Sequence, residues 1–284
     1  MRIRKILNNS SVIVNNKEGA EMIVLGKGIA YGKKIGDEID RTKIYKVFTA
    51  FNNQEKKLLL QTIHETEPIF FQIAQKIVDR LKKEENIELA DSVYLTLTDH
   101  LATSVERGKK GLYLNNNFLW EIQNYYPKEY HYGLWALKLL NDQFKLKFPE
   151  DEAGFIAVHI ISGELGNDIN DFRQSVNFIK EITKLVRFYF DLDLDCQSLS
   201  YNRFVLHLKF FWKYMMYGQK SHGFGDLSKE ILAVIKNSDV AAYECALEIK
   251  KFIHQNYSYN LSNEEVMYLA IHINKITTET RNQK

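Results

Sequence analysis

The chain contains an internal duplication, and this feature limits its possible folds more than any other. A shift of 107 residues aligns the early part of the two copies, and a shift of 113 residues aligns the late part without a gap. The aligned pairs are Tyr94 with Tyr201, His100 with His207, Glu152 with Glu265, Phe155 with Tyr268, Ala157 with Ala270 and His159 with His272. Self-similarity over this length predicts two successive domains with one fold, each of roughly 110 residues.

The duplicated part of the chain has a helical pattern. Apolar residues recur at steps of three and four, as in Ile179, Ile182 and Val186. This spacing is typical of amphipathic helices. We therefore predict two all-α helical-bundle domains, at residues 65–170 and 171–284.

Residues 1–56 have a different pattern, which favours strands. Short β-branched and apolar runs at 2–7, 11–14 and 22–25 are separated by Asn-rich turns, and this predicts a small antiparallel β-sheet. A unit of this size seldom buries enough apolar surface to be stable alone. We therefore expect it to pair with a second copy, so that the protein is a homodimer.

The positive charge of the chain is concentrated at its N-terminal end. Residues 1–50 contain ten Lys and Arg against five Asp and Glu, whereas the remainder contains 28 against 31. A basic small domain on a mildly acidic body indicates a polyanion-binding end.

Several classes of protein are not expected from the composition. Cys196 and Cys245 lack the spacing of a zinc site or a disulfide framework. No apolar run is long enough for a signal peptide or a membrane span. We expect a cytoplasmic protein with no membrane insertion, no metal and no cofactor.

Four of the eight histidines fall on the two repeated positions. A single histidine beside an apolar stripe is usually an ordinary core residue, but repetition of two positions in two copies favours a shared chemical role. The other histidines have no histidine partner in the repeat, and we interpret them as ordinary core residues. They are His64, His131, His222 and His254.

Phosphate acceptance is the chemistry that suits paired histidines best. A metal site would need further converging ligands, and the chain has no HExxH motif. A hydrolase is disfavoured because there is no GxSxG, and Gly26-Lys27-Gly28 lacks the third glycine of a nucleotide site. We therefore expect no enzyme activity. Neutral imidazole is nucleophilic near neutral pH, and added phosphate charge would act as a switch.

Longer motifs give a specific resemblance. LTDH at 97–100, PEDEAGFIAVH at 149–159 and RFVLHLKFF at 203–211 resemble the histidine motifs of the BglG/SacY family of transcriptional antiterminators. The N-terminal KILNN and GKGIAYGKK resemble the RNA-binding domain of that family, and the β-glucoside (LicT/BglG) members are the most similar.

The resemblance implies a multidomain protein and its mechanism. A dimerising β-sheet RNA-binding domain would bind a hairpin in nascent mRNA, the ribonucleic antiterminator, and so prevent a terminator from forming. Two phosphotransferase-system (PTS) regulation domains would follow. His100 and His159 would be phosphorylated by the sugar-specific PTS permease (enzyme II), which inactivates the protein. His207 and His272 would be phosphorylated by the carrier HPr, which activates it and stabilises the dimer.

The N-terminal residues suit RNA physically. Glycines permit close backbone approach, lysines meet phosphates, and an aromatic ring can stack on an unpaired base. The candidate RNA-binding residues are Lys5, Asn8, Ser10, Gly26, Lys27, Gly28, Tyr31 and Lys33. Family members usually have asparagine where this chain has Ser10, and the hydroxyl offers fewer donors than an amide.

Two other functions remain open at this point. A DNA-binding activator with the same regulatory domains would need an N-terminal helix-turn-helix, against which the strand pattern argues. A phosphocarrier enzyme would pass the phosphate onward to a sugar or another protein.

Overall fold

The computed structural model describes residues 1–16, 19–49, 53–165, 169–218 and 239–282. His222 lies outside these ranges. The chain forms two compact units, Met1–Ile169 and Asn170–Lys284. Among the described residues, no helix is both long enough and apolar enough to cross a bilayer.

The N-terminal part is a four-stranded antiparallel sheet, as the alternating runs predict. Its strands, in spatial order, are β1 (Ile3–Asn8), β2 (Ser11–Asn15), β3 (Glu21–Gly26) and β4 (Ile44–Phe48). The first three strands coincide with the three apolar runs of the sequence. Strand β4 follows a long connection without a hairpin signal, and the sequence pattern did not predict it.

Both faces of the sheet are covered within this chain. Val12 pairs with Val24 on one face, where they pack with Ile29 from the β3–β4 connection. Ile13 and Ile23 alternate to the opposite face and are buried too. Strands β1 and β4 contact the first two helices of the unit, α1 (Asn53–Glu65) and α2 (Pro68–Glu85).

The rest of the first unit is helical, as predicted. The further helices are α3 (Asp91–Lys109), α4 (Leu119–Tyr125), α5 (Pro127–Phe144) and α6 (Glu150–Leu165). Helix α6 packs against α3, α4 and α5, so most of its side chains are buried. The contact with α5 is close because Gly133 has no side chain: a Cβ there would lie 2.2 Å from the Ala153 carbonyl oxygen.

The second unit repeats part of this arrangement. Its helices are α7 (Ile169–Phe190), α8 (Leu199–Tyr217), α9 (Val240–Tyr257) and α10 (Asn263–Asn282). Helix α10 packs against α8 and α9, as α6 packs against α3 and α5. A capping box starts α10, since the Glu265 amide donates to Ser262 Oγ (3.2 Å) and the Ser262 amide donates to Glu265 Oε2 (2.7 Å).

The sheet is attached to helix α3 of the same unit. Lys46 Nζ on β4 lies 2.7 Å from Asp91 Oδ1 at the start of α3. The Phe48 and Tyr94 rings have their centroids 5.8 Å apart. The N-terminal turn of α3 is therefore fixed against the last strand.

Candidate functional site

The repeated histidines meet in pairs, one pair in each copy. In the first copy, α3 carries His100 and α6 carries His159, and their ring centroids are 4.8 Å apart. In the second copy, α8 carries His207 and α10 carries His272, with centroids 4.3 Å apart. Each unit thus places its early and late histidines side by side.

In the first copy, a buried carboxylate lies against the early histidine. Glu152 Oε1 is 2.7 Å from His100 Nε2, and the Glu152 side chain is 6% exposed. Ser104 Oγ donates to the same oxygen at 2.6 Å, and Arg107 Nη2 donates to Ser104 Oγ at 2.9 Å. Burial would raise the pKa of Glu152, but the hydrogen bonds from His100 and Ser104 and the charge of Arg107 outweigh it and lower that pKa.

The late histidine of the first copy is enclosed. Burial, with a smaller contribution from the charge of His100, lowers the pKa of His159 to about 3. Its Nδ1 is 3.5 Å from Thr96 Oγ1. His159 is therefore neutral at physiological pH.

The second copy has a phenol where the first has a carboxylate. Tyr268 Oη lies within hydrogen-bonding distance of the His207 ring nitrogens. Glu265, which aligns with Glu152, accepts instead from Tyr259 Oη at 3.1 Å. Burial lowers the pKa of His207. It also lowers the pKa of His272 to about 4, together with the charges of His207, Lys275 and Arg203.

Three of the unrepeated histidines are not where we expected them. His64, His131 and His254 are exposed, so the interpretation of these residues as core histidines is wrong. All three lie on the polar faces of helices.

Nothing in the described ranges groups three or more His, Cys, Asp or Glu side chains closely enough to hold a metal ion. Within the described residues, Glu152 is the one carboxylate that pairs with a repeated histidine, and it belongs to the first copy. The chemistry of both pairs is therefore that of imidazole with hydrogen-bonding partners.

Apart from Lys5, which lies within strand β1, the candidate RNA-binding residues lie at one turn and one loop that contact each other. The Gly26 amide donates to the Ser10 carbonyl at 2.9 Å, and the Ala30 amide donates to the Asn9 carbonyl at 3.1 Å. Tyr31 is 78% exposed at the tip of the loop. The three candidate lysines are exposed as well; they are Lys5, Lys27 and Lys33.

Two glycines give this loop its shape. Gly28 has a φ of +62°, a left-handed conformation that favours glycine. A Cβ on Gly26 would lie 2.6 Å from the Lys43 carbonyl oxygen, so the loop could not pack there with a larger residue.

Asn8 is held more firmly than the sequence suggests. Its Oδ1 accepts from the Ser10 amide at 2.8 Å, and its Nδ2 donates to the Ile63 carbonyl of α1 at 3.3 Å. The side-chain amide therefore joins the candidate RNA-binding turn to the helix that follows the sheet. No sequence signal indicates this contact, because its partners are 55 residues apart.

Glu152, Ser104 and Arg107 were also missed as site residues. The alignment of Glu152 with Glu265 was a usable signal, but it did not show that only one of the two reaches a histidine.

Comparison with known families and proteins agrees with this geometry. The family model described as the CAT RNA binding domain matches residues 1–57. The model described as the PRD domain matches twice, at residues 75–163 and 180–276. The two PRD matches correspond to the two copies of the duplication.

Relatives match along the whole chain. "Transcription antiterminator LicT" of Bacillus subtilis (strain 168) is 33% identical over 279 residues, covering 98% of this chain and 100% of that protein. "Beta-glucoside operon antiterminator" of Dickeya chrysanthemi is 34% identical over 284 residues, covering 100% and 99%. A solved structure, "Crystal structure of GlcT CAT-PRDI", is 30% identical with a TM-score of 0.51, covering 57% of this chain and 96% of that one.

Proposed function

Because this chain belongs to the BglG/LicT-type family of transcriptional antiterminators, we propose that it controls an operon for the use of β-glucosides. The family consists of RNA-binding regulators rather than enzymes, with PRD domains that respond to the PTS. The DNA-binding alternative is not favoured, since the N-terminal region is a β-sheet that matches an RNA-binding family.

The target of the N-terminal domain is an RNA hairpin in nascent mRNA. The exposed Tyr31 beside Lys27 and Lys33 supports this, because a ring can stack on an unpaired base while lysines neutralise phosphates. The proposed contacts are Lys5, Asn8, Ser10, Gly26, Lys27, Gly28, Tyr31 and Lys33. This domain extends over residues 1–56 and works as a homodimer.

The histidine pairs are the proposed phosphorylation sites of the regulatory domains at 65–170 and 171–284. The observation that carries this proposal is the same helix pairing in both copies, with His159 and His272 kept neutral by burial. Neutral imidazole has the lone pair that attacks phosphorus. Following the family, the sugar-specific PTS permease inactivates through His100 and His159, and HPr activates through His207 and His272.

The function is tested by binding of the full chain to the antiterminator hairpin and to duplex DNA of the same sequence. We expect specific binding to the RNA only. Tyr31→Ala should weaken it by the roughly 1–3 kcal/mol of a base stack, whereas Lys33→Ala should mainly reduce the salt dependence. Equal affinity for hairpin RNA and duplex DNA would refute an antitermination role.

A further inference from the structure

The two nitrogens of His100 are in different environments. Nε2 lies 2.7 Å from Glu152 Oε1 and 3.4 Å from Ser104 Oγ. Within the part of the chain that the structure describes, Nδ1 has no hydrogen-bonding partner. A carboxylate accepts hydrogen bonds and cannot donate one. The proton of neutral His100 is therefore on Nε2, and the lone pair is on Nδ1.

Glu152 is held in place independently of His100. Ser104 Oγ donates to it, and Arg107 Nη2 lies 3.9 Å from its second oxygen. It also lies in the first turn of α6, where the helix dipole favours a carboxylate. The carboxylate is thus a fixed negative group to which the His100 ring must orient.

We propose that Glu152 is a positioning residue that makes His100 the first phosphoryl acceptor of the first copy and directs the phosphoryl group to Nδ1. This inference rests on the proposed function, in which the first copy is phosphorylated. It adds the accepting atom and the residue that selects it.

The reaction balances without a further reactant. The donor is a phosphorylated protein, carrying phosphohistidine or phosphocysteine. The Nδ1 lone pair forms the new N–P bond, the bond from phosphorus to the donor atom breaks, and its electron pair stays on that atom. The proton stays on Nε2, so the ring becomes an imidazolium. Glu152 stabilises this positive charge, as a buried carboxylate does for the histidine of a hydrolase triad.

His159 lacks this support. It is buried, and its Nδ1 lies 3.5 Å from the hydroxyl of Thr96. In the part of the chain that the structure describes, no carboxylate is hydrogen-bonded to its ring to stabilise a positive charge. Charge stabilisation and exposure both favour His100, which is half-buried where His159 is buried.

The second copy supplies a matched control. Glu265 aligns with Glu152 but accepts from Tyr259 and from the Ser262 amide, and it does not contact His207. Glu265→Gln keeps the capping box, which accepts either residue. It removes one carboxylate charge from the equivalent position without changing either histidine's hydrogen bonds.

The first experiment uses the unphosphorylated full chain with ¹⁵N-labelled histidine. Nitrogen chemical shifts show which ring nitrogen carries the proton, and His100→Gln assigns the resonances of His100. We expect the Nε2–H tautomer in the wild type and in Glu265→Gln, and a mixture of tautomers in Glu152→Gln. A wild-type His100 protonated on Nδ1 would overturn the inference, whether or not the protein is ever phosphorylated.

The second experiment uses potassium phosphoramidate, a small phosphoryl donor that needs no partner protein. We expect the first copy of the wild type to be modified on Nδ1 of His100, identified by ³¹P–¹⁵N coupling. Glu152→Gln should react at least about tenfold more slowly there, and Glu265→Gln at the wild-type rate. Phosphorylation on Nε2 or first on His159, or equal rates in all three proteins, would overturn the inference. Reaction at Nδ1 without any transfer from PTS proteins would instead refute the proposed function alone.

Discussion

In the first PRD copy His100 faces a buried carboxylate, whereas in the second copy His207 faces the phenol of Tyr268. Both copies have a glutamate in the first turn of the helix that carries the second histidine, α6 or α10. Glu265, however, accepts a hydrogen bond from Tyr259. Neighbouring positions of the two copies explain why the histidines have different partners. Phe155 of the first copy aligns with Tyr268 of the second, and Ser104 aligns with Phe211. An aligned residue therefore keeps its place in the fold while its partners decide what it does.

The largest expected difference between the copies is the sign of their response. His100→Asp adds a permanent negative charge and should lower antitermination without sugar transport, whereas His100→Ala should make it independent of inducer. His207→Asp or His272→Asp should raise activity in cells lacking HPr, and the alanine variants should be inactive. We expect changes of about tenfold or more, within the usual range of allosteric coupling, in a reporter gene placed behind the terminator. If the aspartate variants of both copies changed antitermination in the same direction, the two copies would not have opposite regulatory roles.

A second test compares the two glutamates. Glu152→Ala leaves Ser104 and His100 without their buried acceptor and should destabilise the first copy by about 2–3 kcal/mol. Glu265 is more exposed and is part of the capping box of α10, so Glu265→Ala should lower the unfolding free energy of the second copy by about 1 kcal/mol. Amide hydrogen exchange in α6 and α10 reports each copy separately. Equal losses in the two helices would show that the buried network adds nothing to the first copy.

Acid should destabilise both copies, over different ranges of pH. The unfolded chain binds a proton at His159 near the usual value of 6.5, and the folded chain only near 3. Between these values the unfolded state holds more protons, so the unfolding free energy falls as pH falls, by up to about 1.4 kcal/mol per pH unit. For His272 the pH range of this destabilisation ends higher, near pH 4, because its pKa in the folded chain is lowered to about 4.

This pH dependence is measured by denaturant unfolding at pH 7, 6 and 5. His159→Gln should flatten the slope, and His131→Gln, an exposed control, should leave it as it is. A slope that is unchanged in His159→Gln would show that His159 gains its proton as readily in the folded state as in the unfolded one.

The smallest expected effect on stability comes from exchanging the aromatic residue beside the first histidine of each copy, Phe155 and Tyr268. Tyr268→Phe removes the hydrogen bond to His207 and should destabilise the second copy by about 1 kcal/mol. Phe155→Tyr introduces the same hydroxyl near His100, whose ring centroid is 6.1 Å from that of Phe155. Hydrogen exchange in α8 and α3 measures both. Loss of stability in the first variant without any shift of the His207 nitrogen resonances would place the hydroxyl against another group.

Local patterns predicted much of this structure. Three strands, the helical body and the four repeated histidines could be read from the sequence, because alternation, helical spacing and self-alignment are local or internal signals. The roles of Glu152 and Glu265 could not, since they depend on side chains that meet from different helices. Strand β4 was missed because it pairs with β3 across a long connection. The exposed histidines show that spacing near apolar residues does not fix which way a side chain points.

The Asn8 side chain is hydrogen-bonded at one end to its own turn and at the other to the Ile63 carbonyl of α1. The attachment of α1 and any binding of a ligand at Asn8 are therefore linked equilibria. The amide nitrogen carries two hydrogens, and a nucleotide that displaced the Ile63 carbonyl from Nδ2 would exchange one hydrogen bond for another. Thermodynamic reciprocity then holds: whatever loosens α1 from the turn raises affinity at Asn8 by the same factor by which occupancy of Asn8 loosens α1.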